Sequence, residues 1–384
     1  MSDLQAVLDS AVAQGDVPFA IGLLGDPSGT RWQGAAGLAA PGRAAAPDTV
    51  LRLFSMTKAI GAVAAMILVQ RGVLDLDAPV SSVLPEFADL PLLTGWDGEA
   101  PRLRRPTRTA TLRHLATHTS GLEYETWSLD IHRWRQATGR PLAPSGRLDA
   151  LRQPLCFEPG SRWAYGTGID WLGRAVEATD GRRIDAFCRE EIFQPLGMPD
   201  TEFELAPPLE DRLADVAARQ PDGAFAPARA APPSHPEFYG MGHALYGTGS
   251  DYLRFLRMLL RGGELDRARL LSPATVRELM ANQTGVLPIA PMRSVLPAAS
   301  HDVDLFPSTP KSHSLAYMRV EANVPGMRAA GAQGWAGILN THCWLDPTRG
   351  VAGLFLTQVR PFCDPRVMAA YAAFEQAVYA GSRH

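Results

Sequence analysis

The chain has 384 residues, 46% of them hydrophobic and 20% charged, a composition typical of folded enzymes and far from that of disordered segments. That length exceeds what one compact core fills and implies two or three folding units. With 37 basic against 40 acidic residues the formal charge is −3, which excludes an electrostatic footprint for nucleic acid or an anionic membrane surface.

Cys156, Cys188, Cys343 and Cys363 show no Cys-x-x-Cys spacing and read as thiols of a reduced compartment. The opening MSDLQAVLDSAVAQGDVPFA has no basic n-region and carries Asp3 and Asp9, which argues against a secretory signal. The longest apolar stretch, around 59–69, is far short of the roughly 20 residues that span a bilayer. A cytoplasmic protein without a membrane partner is expected. Of the 37 basic residues two are lysines, Lys58 and Lys311, and 37 − 2 = 35 are arginines. A lysine kept against that bias points to a task closed to a permanently charged guanidinium.

In chain order, Leu4, Val7, Leu8 and Val12 predict a helix over 3–14, and Asp26-Pro27-Ser28-Gly29 predicts the turn of a β-hairpin. Ile60, Val63, Ala64, Ile67 and Leu68 predict a buried helix over 55–70, stopped by Gly72. From 79 to about 283, loops rich in Pro and Gly separate short helices at 111–117, 169–179, 183–193 and 251–261. The proline-rich stretch 286–310 reads as a long loop, a rim or lid. Strands are expected at 314–322, 329–339, 341–345 and 351–359, and a last helix with Asp364 as N-cap and Pro365 at N1. Strands at both ends and helices between them predict one α/β or α+β domain built from both termini, with a mostly helical insertion between them. The α/β domain is assigned to 1–78 and 286–384 and the inserted helical domain to 79–285, with the active site at their junction.

Ser55-Met56-Thr57-Lys58 carries the first chemistry. On a helix starting at Ser55, Lys58 lies one turn on along the same face. The Ser55 amide then belongs to the unpaired first-turn N–H groups that suit an oxyanion. A serine hydroxyl needs a base to become a nucleophile, and a buried, neutral lysine amine can be that base.

LRLFSMTKAIGAVAAMILVQRGVLDLDAPVSSVLPEF resembles the nucleophile segment of the serine β-lactamase and penicillin-binding-protein superfamily, nearest to class C β-lactamases and family VIII carboxylesterases. TLRHLATHTSGL, FEPGSRWAYGTGIDWLGRAVEATDG, IFQPLGMPDTEF and GWAGILNTHCWLDP are similar to further segments of that family, in the same order. The resemblance implies an acyl-enzyme on Ser55, Lys58 as its base and Tyr165 as proton relay. It implies an α+β fold, an α/β sandwich with an antiparallel sheet flanked by helices plus an all-α region, an oxyanion hole from the Ser55 and Ile338 amides, and no cofactor or metal. Two positions depart from the lactamase pattern. Thr167 replaces the asparagine of Tyr-x-Asn, and Trp335-Ala336-Gly337 replaces Lys-Thr-Gly, as in the Trp-x-Gly form of family VIII esterases. A neutral indole in place of a cation favours neutral acyl esters over anionic lactams, unless Arg319 or Arg328 restores a charge. Thr167, Trp335, Ala336 and Gly337 are therefore the expected substrate-binding residues.

The expected activity is hydrolysis of small-molecule esters with short acyl chains. The alternatives are β-lactamase, D-aminopeptidase or amidase, transfer of the acyl group to an alcohol, and a silent penicillin-binding-like sensor. Oligomeric state is left open. His114 and His118 have zinc-ligand spacing but lack the glutamate of His-Glu-x-x-His, which favours a structural turn. Arg102, Arg104 and Arg105 are expected in a solvated loop between Pro101 and Pro106, and Asp75 and Asp77 in a surface turn.

Overall fold

Alternation of side chains along the strands decides the layering of the molecule. The computed structural model of the chain describes residues 2–381. Helix α1 (Ser2–Ala13) leads into β1 (Phe19–Gly25), β2 (Thr30–Ala40) and the short β3 (Arg43–Ala44). Helices α2 (Thr57–Gln70), α3 (Gly168–Asp180), α4 (Gly249–Leu260) and α5 (Pro273–Met280) follow, among loops and further helices. The chain then returns to strands: β4 (Lys311–His313), β5 (Met318–Val320), β6 (Gln333–Gly337), β7 (Thr341–Asp346) and β8 (Val351–Leu356), before α6 (Pro365–Gly381).

These eight strands form one sheet in the order β4-β5-β6-β7-β8-β1-β2-β3, with antiparallel pairing throughout. The first hairpin turns at Asp26-Pro27-Ser28-Gly29 as predicted, and Ile21 pairs with Leu356, joining the early and late segments. Ala20, Trp344 and Phe355 point to one face, where Leu4, Leu8, Phe374 and Val378 of α1 and α6 cover them. Ile21, Leu23, Cys343, Leu354 and Leu356 point to the other, against Ile60, Val63, Leu253 and Leu256 of α2 and α4. Although α4 lies within the stretch assigned to the helical insertion, it packs on the sheet.

Several expected elements differ in detail. The strand expected over 314–322 is the turn and second arm of the β4–β5 hairpin. Ser314 Oγ accepts from the amides of Ala316 and Tyr317, and this serine-capped turn reverses the chain. Arg102 and Arg104 lie not in a loop but on an exposed strand, Ala100–Arg104, paired with Leu92–Asp97. Asp77 binds Arg113, with Nε to Oδ1 at 2.7 Å. Asp364 caps α6, accepting from the amides of Arg366 and Val367. No helix among the described residues is long and apolar enough to cross a membrane.

Candidate active site

Ser55 lies in a 3₁₀ turn, Phe54–Met56, that runs directly into α2. The turn begins with Phe54 at φ +44°, a left-handed conformation that a phenylalanine adopts only under constraint from its surroundings. Phe54 is buried beside Val216 and Leu339, with Ile338 packed against them. On the first turn of α2, Lys58 directs Nζ to within 3.0 Å of Ser55 Oγ. Tyr165, 110 residues on, donates its phenol to the same Oγ at 2.6 Å. The three side chains singled out in the sequence therefore meet at one oxygen.

The loop carrying Tyr165 is clamped from both sides. His118 O accepts from Ala164 N at 2.9 Å, its Nδ1 accepts from Gly166 N at 3.4 Å, and Tyr165 O accepts from Tyr124 N at 3.2 Å. His114 Nδ1 accepts from the Thr111 amide, closing a capping box on the short helix Leu112–Ala116. The histidines with zinc-like spacing thus hold backbone groups.

Four rings surround the Tyr165 ring: His118 and Trp335 at 4.9 Å, Tyr124 at 5.1 Å and Trp127 at 5.4 Å between centroids. Burial among them pushes the Tyr165 phenol up beyond its usual range. The same enclosure pushes Lys58 down to about 7, opposed by the negative charge of Asp170. The pair is thus biased toward a neutral amine and a neutral phenol, one able to take a proton and the other to give one.

Trp335 on β6 donates its indole N–H to Tyr165 Oη at 3.0 Å. Gly337, two residues on along the same face, abuts the turn that carries Ser55: a Cβ there would collide with the carbonyl of Leu53 and with Thr341 Oγ1. Ile338 follows in the turn after β6, so its backbone stands beside that turn. Ala336 is buried in register with His342. Thr167 is fully buried ahead of α3, and its hydroxyl has no hydrogen-bond partner. Neither candidate arginine supplies a free charge. Arg319 binds Glu321 at 2.9 Å, and Arg328 is buried against Glu375 at 2.7 Å and Tyr371.

The 286–310 loop is strapped across this cluster. Val295 N donates to Thr126 O at 2.9 Å and Trp127 Nε1 to Ser300 Oγ at 3.3 Å. On the other side His301 N donates to Phe362 O, and Phe362 N to Ala299 O, both at 2.9 Å. Lys311, the second lysine, fixes the end of the strap: Nζ reaches Asp304 Oδ1 at 2.7 Å and Leu305 O at 3.0 Å. A small cavity of about 20 Å³ lies between the strap and Trp335, bordered by Met292, Val303, Met318, Asp304 and Lys311 but by none of Ser55, Lys58 and Tyr165. A much larger cavity, about 1040 Å³, opens elsewhere between Phe19, Leu38, Arg52 and Phe225; none of Ser55, Lys58 or Tyr165 lines it.

Sequence reasoning missed Asp170 and the glycines around it. A lone aspartate in the first turn of a helix reads as a dipole partner, and only the fold shows it buried behind Lys58.

The Beta-lactamase family model matches residues 7–378. The chain belongs to that family. It is 33% identical over 334 residues to lovastatin esterase of Penicillium rubens, covering 84% of this chain and 82% of that protein. It is 30% identical over 353 residues to monacolin J acid methylbutanoyltransferase of Aspergillus terreus, covering 87% and 82%. The unliganded simvastatin synthase of Aspergillus terreus superposes with a TM-score of 0.86 at 26% identity, over 99% of this chain and 98% of that one. The chain is therefore a serine β-lactamase-fold enzyme whose relatives hydrolyse or transfer acyl groups.

Proposed function

We propose that the protein cleaves carboxylic esters of short acyl chains through a covalent acyl-enzyme on Ser55. The observation that carries this reading is the convergence of Lys58 Nζ and Tyr165 Oη on Ser55 Oγ. Ser55 Oγ attacks the ester carbonyl as its proton passes to the neutral amine of Lys58. The oxyanion then faces the amides of Ser55 and Ile338. Collapse expels the alcohol, which takes a proton from the Tyr165 phenol, and the Lys58 ammonium returns that proton to Tyr165. Water attacks the acyl-enzyme by the reverse route.

Trp335 supports the substrate class. A neutral indole faces the reacting group where a lactamase offers a cation, which supports neutral esters over anionic lactams. The likeness to family VIII esterases rests on the same Trp-x-Gly form. Four unpaired cysteines support a cytoplasmic setting.

A second reading is transfer of the acyl group to an alcohol. A methylbutanoyltransferase among the relatives supports it. A serine-reactive phosphonate should label the peptide containing Ser55, and Ser55→Ala should abolish turnover; label on another serine with Ser55→Ala active overturns the assignment. Turnover of p-nitrophenyl butyrate should far exceed that of nitrocefin or penicillin, and equal or faster lactam turnover overturns the esterase reading. Product analysis with an added alcohol separates hydrolysis from transfer.

A further inference from the structure

Lys58 has a second partner besides Ser55: its Nζ donates to the carbonyl of Gly242 at 2.8 Å. The amide of the same Gly242 donates to Asp170 Oδ1 at 2.6 Å. The two backbone groups of one residue thus link a carboxylate on α3 to an amine on α2. Asp170 is fully buried, and its Oδ2 has no hydrogen-bond partner. A carboxylate so placed is costly for stability alone, because desolvation is only partly offset by its bonds.

The backbone around it is shaped to the carboxylate. A Cβ on Gly240 would come within 3.0 Å of Asp170 Oδ1, and one on Gly242 within 2.9 Å of Oδ1 and 2.6 Å of Tyr124 Oη. Only glycine permits so close an approach at both positions.

The geometry points to Asp170 as the positioning residue for Lys58: it anchors the Gly242 peptide whose carbonyl orients the amine, and it places a carboxylate behind that amine. This rests on the acyl-enzyme reading above. A neutral amine has two N–H donors and one lone pair. With one N–H held by Gly242 O, the lone pair is free to face Ser55 Oγ.

The groups that face Lys58 are Asp170, the phenols of Tyr124 and Tyr165, and the imidazoles of His118, His243 and His313. All three imidazoles are held below their usual range by burial. Asp170 in turn faces Lys58, Glu125, Tyr124 and Tyr165. Asp170 is therefore the carboxylate that stabilises the ammonium form. Without its charge Lys58 loses its proton at lower pH, and activity, which needs the neutral amine, extends to lower pH.

Because the chain has two lysines, protein labelled with ¹³C at lysine Cε gives two resonances, with Lys311 as internal reference. In Asp170→Asn, whose amide oxygen can still accept from Gly242, the Lys58 midpoint and the acid limb of kcat/KM for p-nitrophenyl butyrate should both fall by about one pH unit. Asp170→Glu keeps the charge but displaces the cradle. It should hold the Lys58 midpoint while kcat drops about 10²-fold with little change in KM. Circular dichroism verifies folding, and either variant that folds decides the question by itself. An Asp170→Asn protein with the wild-type midpoint, or an Asp170→Glu protein with wild-type kcat, overturns the inference. Phosphonate labelling of the wild type is read in parallel. Failure to label Ser55 overturns the acyl-enzyme reading, whereas labelled Ser55 with an unmoved Lys58 midpoint overturns only the role of Asp170.

Discussion

The indole of Trp335 and the phenol of Tyr165 form the second link of a chain of donors: Nε1 donates to Oη at 3.0 Å, and Oη donates onward to Ser55 Oγ. A neutral donor thus holds the phenol that, in the proposed mechanism, gives up its proton. Trp335→Phe keeps a ring in the same wall and removes that donor. One neutral hydrogen bond contributes about 1–1.5 kcal/mol, so kcat for p-nitrophenyl butyrate should fall about tenfold. KM should change less, because the bond is made to the enzyme's own phenol. Unchanged kcat would show that packing alone holds Tyr165.

Lys58→Arg tests the base directly. Arginine keeps the charge and much of the stem but stays protonated at working pH. Loss of a positioned general base costs about 10²–10⁴-fold. Variant protein that folds normally and retains kcat within about threefold of wild type, under roughly 1 kcal/mol in barrier, would move the role to Tyr165. The arginine-rich composition sharpens the comparison, since guanidinium groups meet nearly every other cationic need of this chain.

The pH profile should show an acid limb near neutrality. Burial pushes Lys58 down to about 7, and the amine works only when deprotonated, so kcat/KM should rise with pH through that region and then level off. The neighbouring imidazoles titrate far below it, His243 at about 3 and His313 at about 4. Tyr165 is pushed upward, away from the same window. A limb near pH 4, or a flat profile from pH 5 to 8, would assign the proton transfer to another group.

Lys311→Met should loosen the strap. The ammonium is the donor shared by Asp304 Oδ1 and Leu305 O, and a thioether replaces none of those bonds. Trypsin can report the change, because Arg293 stands exposed within the 286–310 loop. Cleavage after Arg293 should be faster in Lys311→Met. If the strap limits water, the ratio of hydrolysis to alcohol transfer should also rise. An unchanged ratio alongside faster cleavage would separate mobility of the loop from solvent access.

How far the chain could be read without coordinates depended on distance along it. Ser55 and Lys58 are three residues apart on one helical face, so local geometry already implied their contact. The hairpin at Asp26 and the cap at Asp364 are likewise short-range signals. Tyr165 was legible only through resemblance, because a tyrosine in a loop carries no pattern of its own. Asp170 and Gly242 are 72 residues apart, and neither type at its position signals a partner. The Ser314 turn escaped a strand pattern because the apolar run continues through it, and the hydroxyl that reverses the chain is a single atom. On the exposed hairpin, alternating arginines pair by backbone, to which side-chain polarity gives little guide.

The pairing of Ile21 with Leu356 has a consequence for how the protein is made. During vectorial synthesis Ser55 and Lys58 can meet as soon as their helix winds. Trp335 and Ile338, by contrast, emerge long afterwards, and β1 has no partner in β8 until then. A ribosome-bound chain arrested before β6 would hold a serine and its lysine without Trp335 and the turn that carries Ile338. In the proposed mechanism, acyl transfer therefore waits on the closing of the sheet.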